Sequence, residues 1–103
     1  MLRVLPVSRA RKPYVVRLAA RGNPDFRQGS TLPGVRARQV RAADFAEASQ
    51  HCRAYIAEHD LGGGNWAGGE VRDHTGALVA RVSYNGKVWP PGPWAPEVKP
   101  LWG

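Results

Sequence analysis

One helix pattern, over residues 44–60, constrains this chain more than any other feature. Asp44 is placed to cap it, and Glu47, three residues on, completes an acidic version of the capping box. Phe45, Ala48, Cys52, Tyr55, Ile56 and His59 recur at helical spacing and form one apolar stripe. Alanines at 42, 43, 46, 54 and 57 add propensity. Leu61-Gly62 ends the helix. Gly62 is expected in the left-handed conformation, with Leu61 folded back on the last turn, and Gly63 and Gly64 block continuation. A lone helix cannot bury its stripe against itself, so the rest of the chain must supply a sheet.

The flanking segments read as strands. Tyr14 to Ala19 is β-branched and aromatic. Residues 21–25 form a turn cluster and residues 26–33 an irregular loop. Residues 34–41 (GVRARQVR) partly alternate, with Val35 and Ala37 expected inward and Arg36 and Arg38 outward. Residues 68–89 read as a three-stranded antiparallel meander: Glu70-Val71-Arg72, a turn ending in Gly76, a strand over 77–84, and a return over 87–89. Asn85-Gly86 predicts a two-residue type I′ hairpin, which pairs Val82 with Trp89. Leu78, Ala80, Val82, Tyr84 and Trp89 would then share the face that meets the helix. The fold class is α+β: one main helix on an antiparallel sheet with a C-terminal three-stranded meander. A chain of 103 residues holds one small domain with a modest core and no large substrate cleft. The organisation expected is a basic arm over 1–13, the α+β domain over 14–89, and a Pro/Trp-rich tail over 90–103. Five of the nine prolines lie in that tail, so it cannot form a central strand and suits polyproline II.

Charge is distributed unevenly. Residues 1–41 carry ten basic side chains and one acid, Asp25, for +9; residues 42–103 carry five basic and seven acidic, for −2; together they give the chain's +7. A block of that sign attracts polyanions through counterion release and steering. The candidate nucleic-acid or polyanion-binding residues are Arg9, Arg11, Lys12, Arg17, Arg21, Arg36, Arg38 and Arg41. Tyr14, Phe26 or Tyr84 are positioned in the sequence to stack on bases if exposed. Arginine outnumbers lysine 12 to 3, which favours bidentate phosphate contacts, although high-GC coding also enriches arginine. No helix-turn-helix, zinc-finger or RNP-type motif is present, so sequence-specific readout is not expected.

Other chemistries find little support. The glycine-rich stretch 62–69 lies between a helix and a strand, the reverse of a phosphate loop, and lacks the closing Lys-Ser/Thr. His51, His59, His74 and Cys52 show no metal-ligand spacing, so no metal or cofactor is expected. No serine sits in a nucleophile elbow, and Cys52 reads as a buried, inert thiol. The chain therefore reads as a binding protein and not an enzyme. A single cysteine excludes an internal disulfide and suits the cytoplasm. No apolar run is long enough for a membrane span, and residues 1–7 are too short and broken for a secretory signal. Trp94 and Trp102, interleaved with proline, are expected either to dock on the meander or to contact a partner.

The residues DFxEAS (44–49), YI (55–56), LGGGNWxGGxV (61–71) and SYNGKVW (83–89) resemble small uncharacterised proteins of bacterial phages and other mobile elements. The likeness spans roughly residues 14 to 89 and carries no catalytic residue over. It implies a context in which small proteins bind DNA or bind and block host defence complexes. Three partner classes follow: a nucleic acid or nucleoprotein complex engaged by the arginines, a host protein target inhibited in the manner of an anti-CRISPR protein through the arginines with Trp94 and Trp102, or a virion-associated assembly. Neutralising Arg9, Arg11 and Lys12 together is expected to weaken binding to any polyanion nearly uniformly.

Overall fold

The computed structural model of the chain describes residues 12–22 and 34–103. Apolar–polar alternation gives β1 (Tyr14–Leu18) two faces: Val16 and Leu18 are buried while Arg17 is exposed. β2 (Arg38–Ala42) runs antiparallel to it, and α1 (Phe45–Glu58) follows. The meander of β3 (Glu70–Arg72), β4 (Leu78–Val82) and β5 (Val88–Trp89) completes a five-stranded sheet in the order β2-β1-β3-β4-β5, antiparallel throughout. The helix packs on one face, against β1, β2 and β4. Its Ala48, Cys52, Tyr55 and Ile56 meet Val16, Leu18, Val71, Ala80, Val82 and Val88 in a single core. The chain thus adopts the α+β architecture expected of one amphipathic helix and a meander.

Both helix ends are closed by local chemistry. The Asp44 carboxylate accepts from the Glu47 N–H at 2.8 Å. Glu47 reaches back past Asp44, accepting from the Ala43 N–H at 3.0 Å. At the C-terminus the left-handed residue is Asp60 (φ 51°), not Gly62. The Leu61 N–H donates to the Ile56 carbonyl and the Asp60 N–H to the Ala57 carbonyl, a Schellman closure that buries Leu61. Asp tolerates that conformation well enough to turn the chain two residues before the glycine.

Two strand registers differ from expectation. In β2, Val16 pairs with Val40 and Tyr14 with Ala42, so Val40 and Ala42 face the helix. Arg38 shares that side, at the end of the strand, while Val35 and Ala37 precede the strand altogether. The β4–β5 hairpin turns through three residues, Tyr84, Asn85 and Gly86, with positive φ at Gly86 only. The Gly86 N–H donates to Ser83 and the Ser83 N–H to Lys87, so the pairing moves by one residue: Val82 faces Val88, and Trp89 turns to the opposite face. Helix side chains hold this loop. The Ser49 hydroxyl donates to the Gly86 carbonyl at 2.6 Å, and the Arg53 guanidinium donates to the Tyr84 carbonyl and lies over its ring.

The glycine-rich stretch closes a backbone seam. The Gly69 N–H donates to the Arg17 carbonyl, and its own carbonyl accepts from the Val82 N–H, each at 2.8 Å. Gly69 has φ +104°, and a Cβ there would overlap the Val82 carbonyl oxygen. At Gly68 a Cβ would lie 2.6 Å from the Arg17 carbonyl oxygen. Trp66 pins the same seam, donating its indole N–H to the Val82 carbonyl at 3.0 Å.

The tail returns to the sheet at its end. The Val88 N–H donates to the Trp102 carbonyl at 2.9 Å, and the Val88 carbonyl accepts from the Leu101 N–H at 2.6 Å. The outer edge of β5 is thereby covered by main chain from beyond the prolines. Trp102 docks through its backbone and leaves its side chain partly exposed, whereas Trp94 is 67% exposed. No helix among the described residues is long and apolar enough to cross a membrane.

Candidate polyanion-binding face

Strand alternation that buries valine on the helix side places arginine on the other. Arg41 on β2, Arg17 on β1, Arg72 on β3 and Arg81 on β4 are all exposed on the face away from α1. Two cross-strand rows hold them. Arg41, Val15 and Arg72 form one; Gln39, Arg17, Glu70, Arg81 and Trp89 form the other. Neighbouring strands are about 4.8 Å apart, so this is a cationic surface four strands wide. A hollow of about 250 Å³ opens on the first row, walled by Val15, Gln39, Arg41 and Arg72 and, at the β3–β4 turn, by Asp73 and His74.

Three of these guanidinium groups are oriented by main-chain carbonyls. Arg17 donates to Ala67 at 2.8 Å, Arg72 to Gly76 at 3.1 Å and Arg81 to Pro91 at 3.3 Å. A guanidinium has five N–H donors, so one such anchor does not exhaust it, although Arg17 also shares its charge with Glu70. The acids nearby are committed. Glu70 lies 3.5 Å from Arg17. The Asp73 carboxylate accepts from the Thr75 hydroxyl and from the Thr75 and Ala77 N–H groups, which hold it below its ordinary pKa.

The structure divides the sequence-predicted cationic set. Arg17 and Arg41 come together on the open face. Arg38 lies on the helix side, 3.4 Å from Glu58 and over the Tyr55 ring. The Arg36 carbonyl accepts from the Tyr55 hydroxyl at 2.8 Å, and both arginines border a hollow that Glu58 also lines. Arg21 joins the glycine turn, donating its Nε to the Gly64 carbonyl at 3.2 Å. Lys12 pairs with Glu47 at 2.9 Å near the start of α1. Arg9, Arg11 and Phe26 lie outside the described residues. Tyr14 packs on Phe45, and Tyr84 is held between Arg53 and the Leu61 carbonyl.

Arg72 and Arg81 lie in the segment of net charge −2, so charge summed along the chain does not mark them. Their signal was local: each follows a buried apolar residue, Val71 or Ala80, with period-two alternation. Cys52 is fully buried, and that burial, with Glu70 contributing, pushes its thiol up to about 12, leaving it protonated at neutral pH. Among the described residues no cluster of three His, Cys, Asp or Glu side chains is placed to hold a metal ion. No family model, no curated protein and no solved structure matches the chain.

Proposed function

We propose that this chain is a small, non-catalytic binding protein that holds the phosphate backbone of a nucleic acid, free or within a nucleoprotein complex, on its open sheet face. The observation that carries this reading is the convergence of Arg17, Arg41, Arg72 and Arg81 from four adjacent strands. The chain's net charge of +7 supports it by long-range attraction. A phage or mobile-element setting, to which the motif residues point, is one in which a protein of this kind has use. The contacts are to backbone and not to base edges, so affinity tracks salt more than sequence.

Fluorescence anisotropy of a labelled oligonucleotide across a salt series tests the proposal. Affinity is expected to fall steeply with salt, by about 0.7 to 0.9 log units per log unit of salt for each phosphate contacted. Changing Arg17, Arg41, Arg72 and Arg81 together to alanine is expected to flatten that slope by about 3. A slope and affinity that survive this change intact would remove the open face from the binding site.

A further inference from the structure

Where the open face meets the tail, three tryptophans border one cleft. Trp66, Trp89 and Trp94 line it together with Pro90 and Val98, the last three contributed from the tail side. Its volume is about 370 Å³, at the small end of ligand pockets. Arg81 belongs both to this cleft and to the row of arginines, so the apolar hollow and the cationic face are one continuous surface.

The polar edges of two of these rings are already used. The Trp66 indole N–H is donated to the Val82 carbonyl and the Trp89 indole N–H to the Ser83 hydroxyl at 3.2 Å. With both indole donors occupied, these two rings can meet a ligand only through their apolar surface. Stacking on such faces selects flat rings while tolerating differences among them. A cationic ligand is disfavoured by Arg81, and a phosphate attached to the flat ring is favoured by it.

We infer that the cleft receives an unpaired nucleobase, stacked against Trp89 and Trp94, while Arg81 holds the adjoining phosphate. The inference rests on the polyanion reading and narrows it: the ligand is single-stranded, because a paired base cannot leave the stack without cost. The tail then contributes to the site as a wall, with Trp94 its most exposed aromatic ring.

The test compares a short labelled oligodeoxythymidine with an abasic strand of equal length and with a duplex, by anisotropy and by tryptophan fluorescence. The base-bearing single strand is expected to bind tightest and to quench the tryptophans. Trp94→Ala, at an exposed position, is expected to weaken that strand by about fivefold or more while leaving the abasic strand unchanged. Abasic and base-bearing strands that bind alike, or an unaltered affinity in Trp94→Ala, would overturn the cleft assignment alone. Failure of all three probes to bind at low salt would overturn the polyanion reading and this inference with it. A proline-rich peptide that quenches the tryptophans when oligodeoxythymidine does not would assign the cleft to a protein partner instead.

Discussion

The two faces of this sheet are built from alternate residues of the same strands, yet they obey different rules. On the helix side, Val16, Leu18, Val71, Ala80 and Val82 are buried and fit α1 closely. On the other side, Arg17, Arg72 and Arg81 occupy the intervening positions and are exposed. The first face is governed by volume and backbone approach, so single atoms matter. The second is governed by charge, which tolerates replacement as far as stability is concerned and matters only when a ligand arrives. Stability and binding should therefore separate by sheet face, which follows residue parity in β1 and β3 but not across the bulge in β4, where Leu78 lies opposite Arg72 and Val79 packs on the core.

The sharpest way to break this comparison is at the seam between the faces. Gly69→Ala places a methyl against the Val82 carbonyl at a positive φ. A loss of about 4 kcal/mol or more is expected, enough to unfold a marginal domain. Thermal melts followed by circular dichroism measure this, and reaction of Cys52 with a thiol reagent reports it independently. The native thiol is expected to be unreactive at neutral pH and to label once the core opens. The quadruple arginine variant described above makes the opposite pattern: a large change in binding with stability changed by less than about 1 kcal/mol.

A smaller effect sharpens the description of the buried side. Tyr55 is buried, and its hydroxyl donates to the Arg36 carbonyl. Tyr55→Phe keeps the ring and strands that carbonyl, so a loss of about 1 kcal/mol is expected. In a domain of this size that lowers the melting temperature by about 4–8 °C. An unchanged melt would mean that the contact between the chain before β2 and the helix contributes nothing.

The smallest effect is on acid stability. The Lys12 ammonium and the Ala43 N–H hold the Glu47 carboxyl below its ordinary range, and the Thr75 and Ala77 donors do the same for Asp73. Because both values are lower in the fold than in the unfolded chain, their stabilisation is complete above the usual carboxylate range. It is lost as pH falls through that range toward the folded values. Melting temperature should therefore drop between about pH 5 and about pH 3, and Glu47→Gln with Asp73→Asn should flatten the drop. Both groups are exposed, so the change is modest.

Much of the buried side was legible because its signals are local. The Asp44 cap, the stripe from Phe45 to Ile56 and the three meander strands each follow from neighbours within a few residues. The open face was legible only in part, because it is assembled by pairing. Arg41 and Arg72 are far apart in sequence and two strands apart in space. Counting charge by chain segment placed the cationic site before residue 42 and missed Arg72 and Arg81. The hairpin shows the same limit. Asn85-Gly86 marks a turn unambiguously, yet whether one residue or two adopt positive φ decides which face Val88 and Trp89 take. The close backbone approach at Gly68 and Gly69 decides why that segment is glycine, and no local pattern announces it.

The central claim is that a nucleic acid lies on the sheet and not on the helix. Backbone amide shifts in nuclear magnetic resonance spectra, recorded as a short oligonucleotide is added, test it most directly. The shifts are expected to concentrate at Val15, Arg17, Arg41, Arg72 and Arg81, with the amides of Phe45–Glu58 unmoved. Shifts concentrated on the helix, with the strand arginines silent, would contradict it.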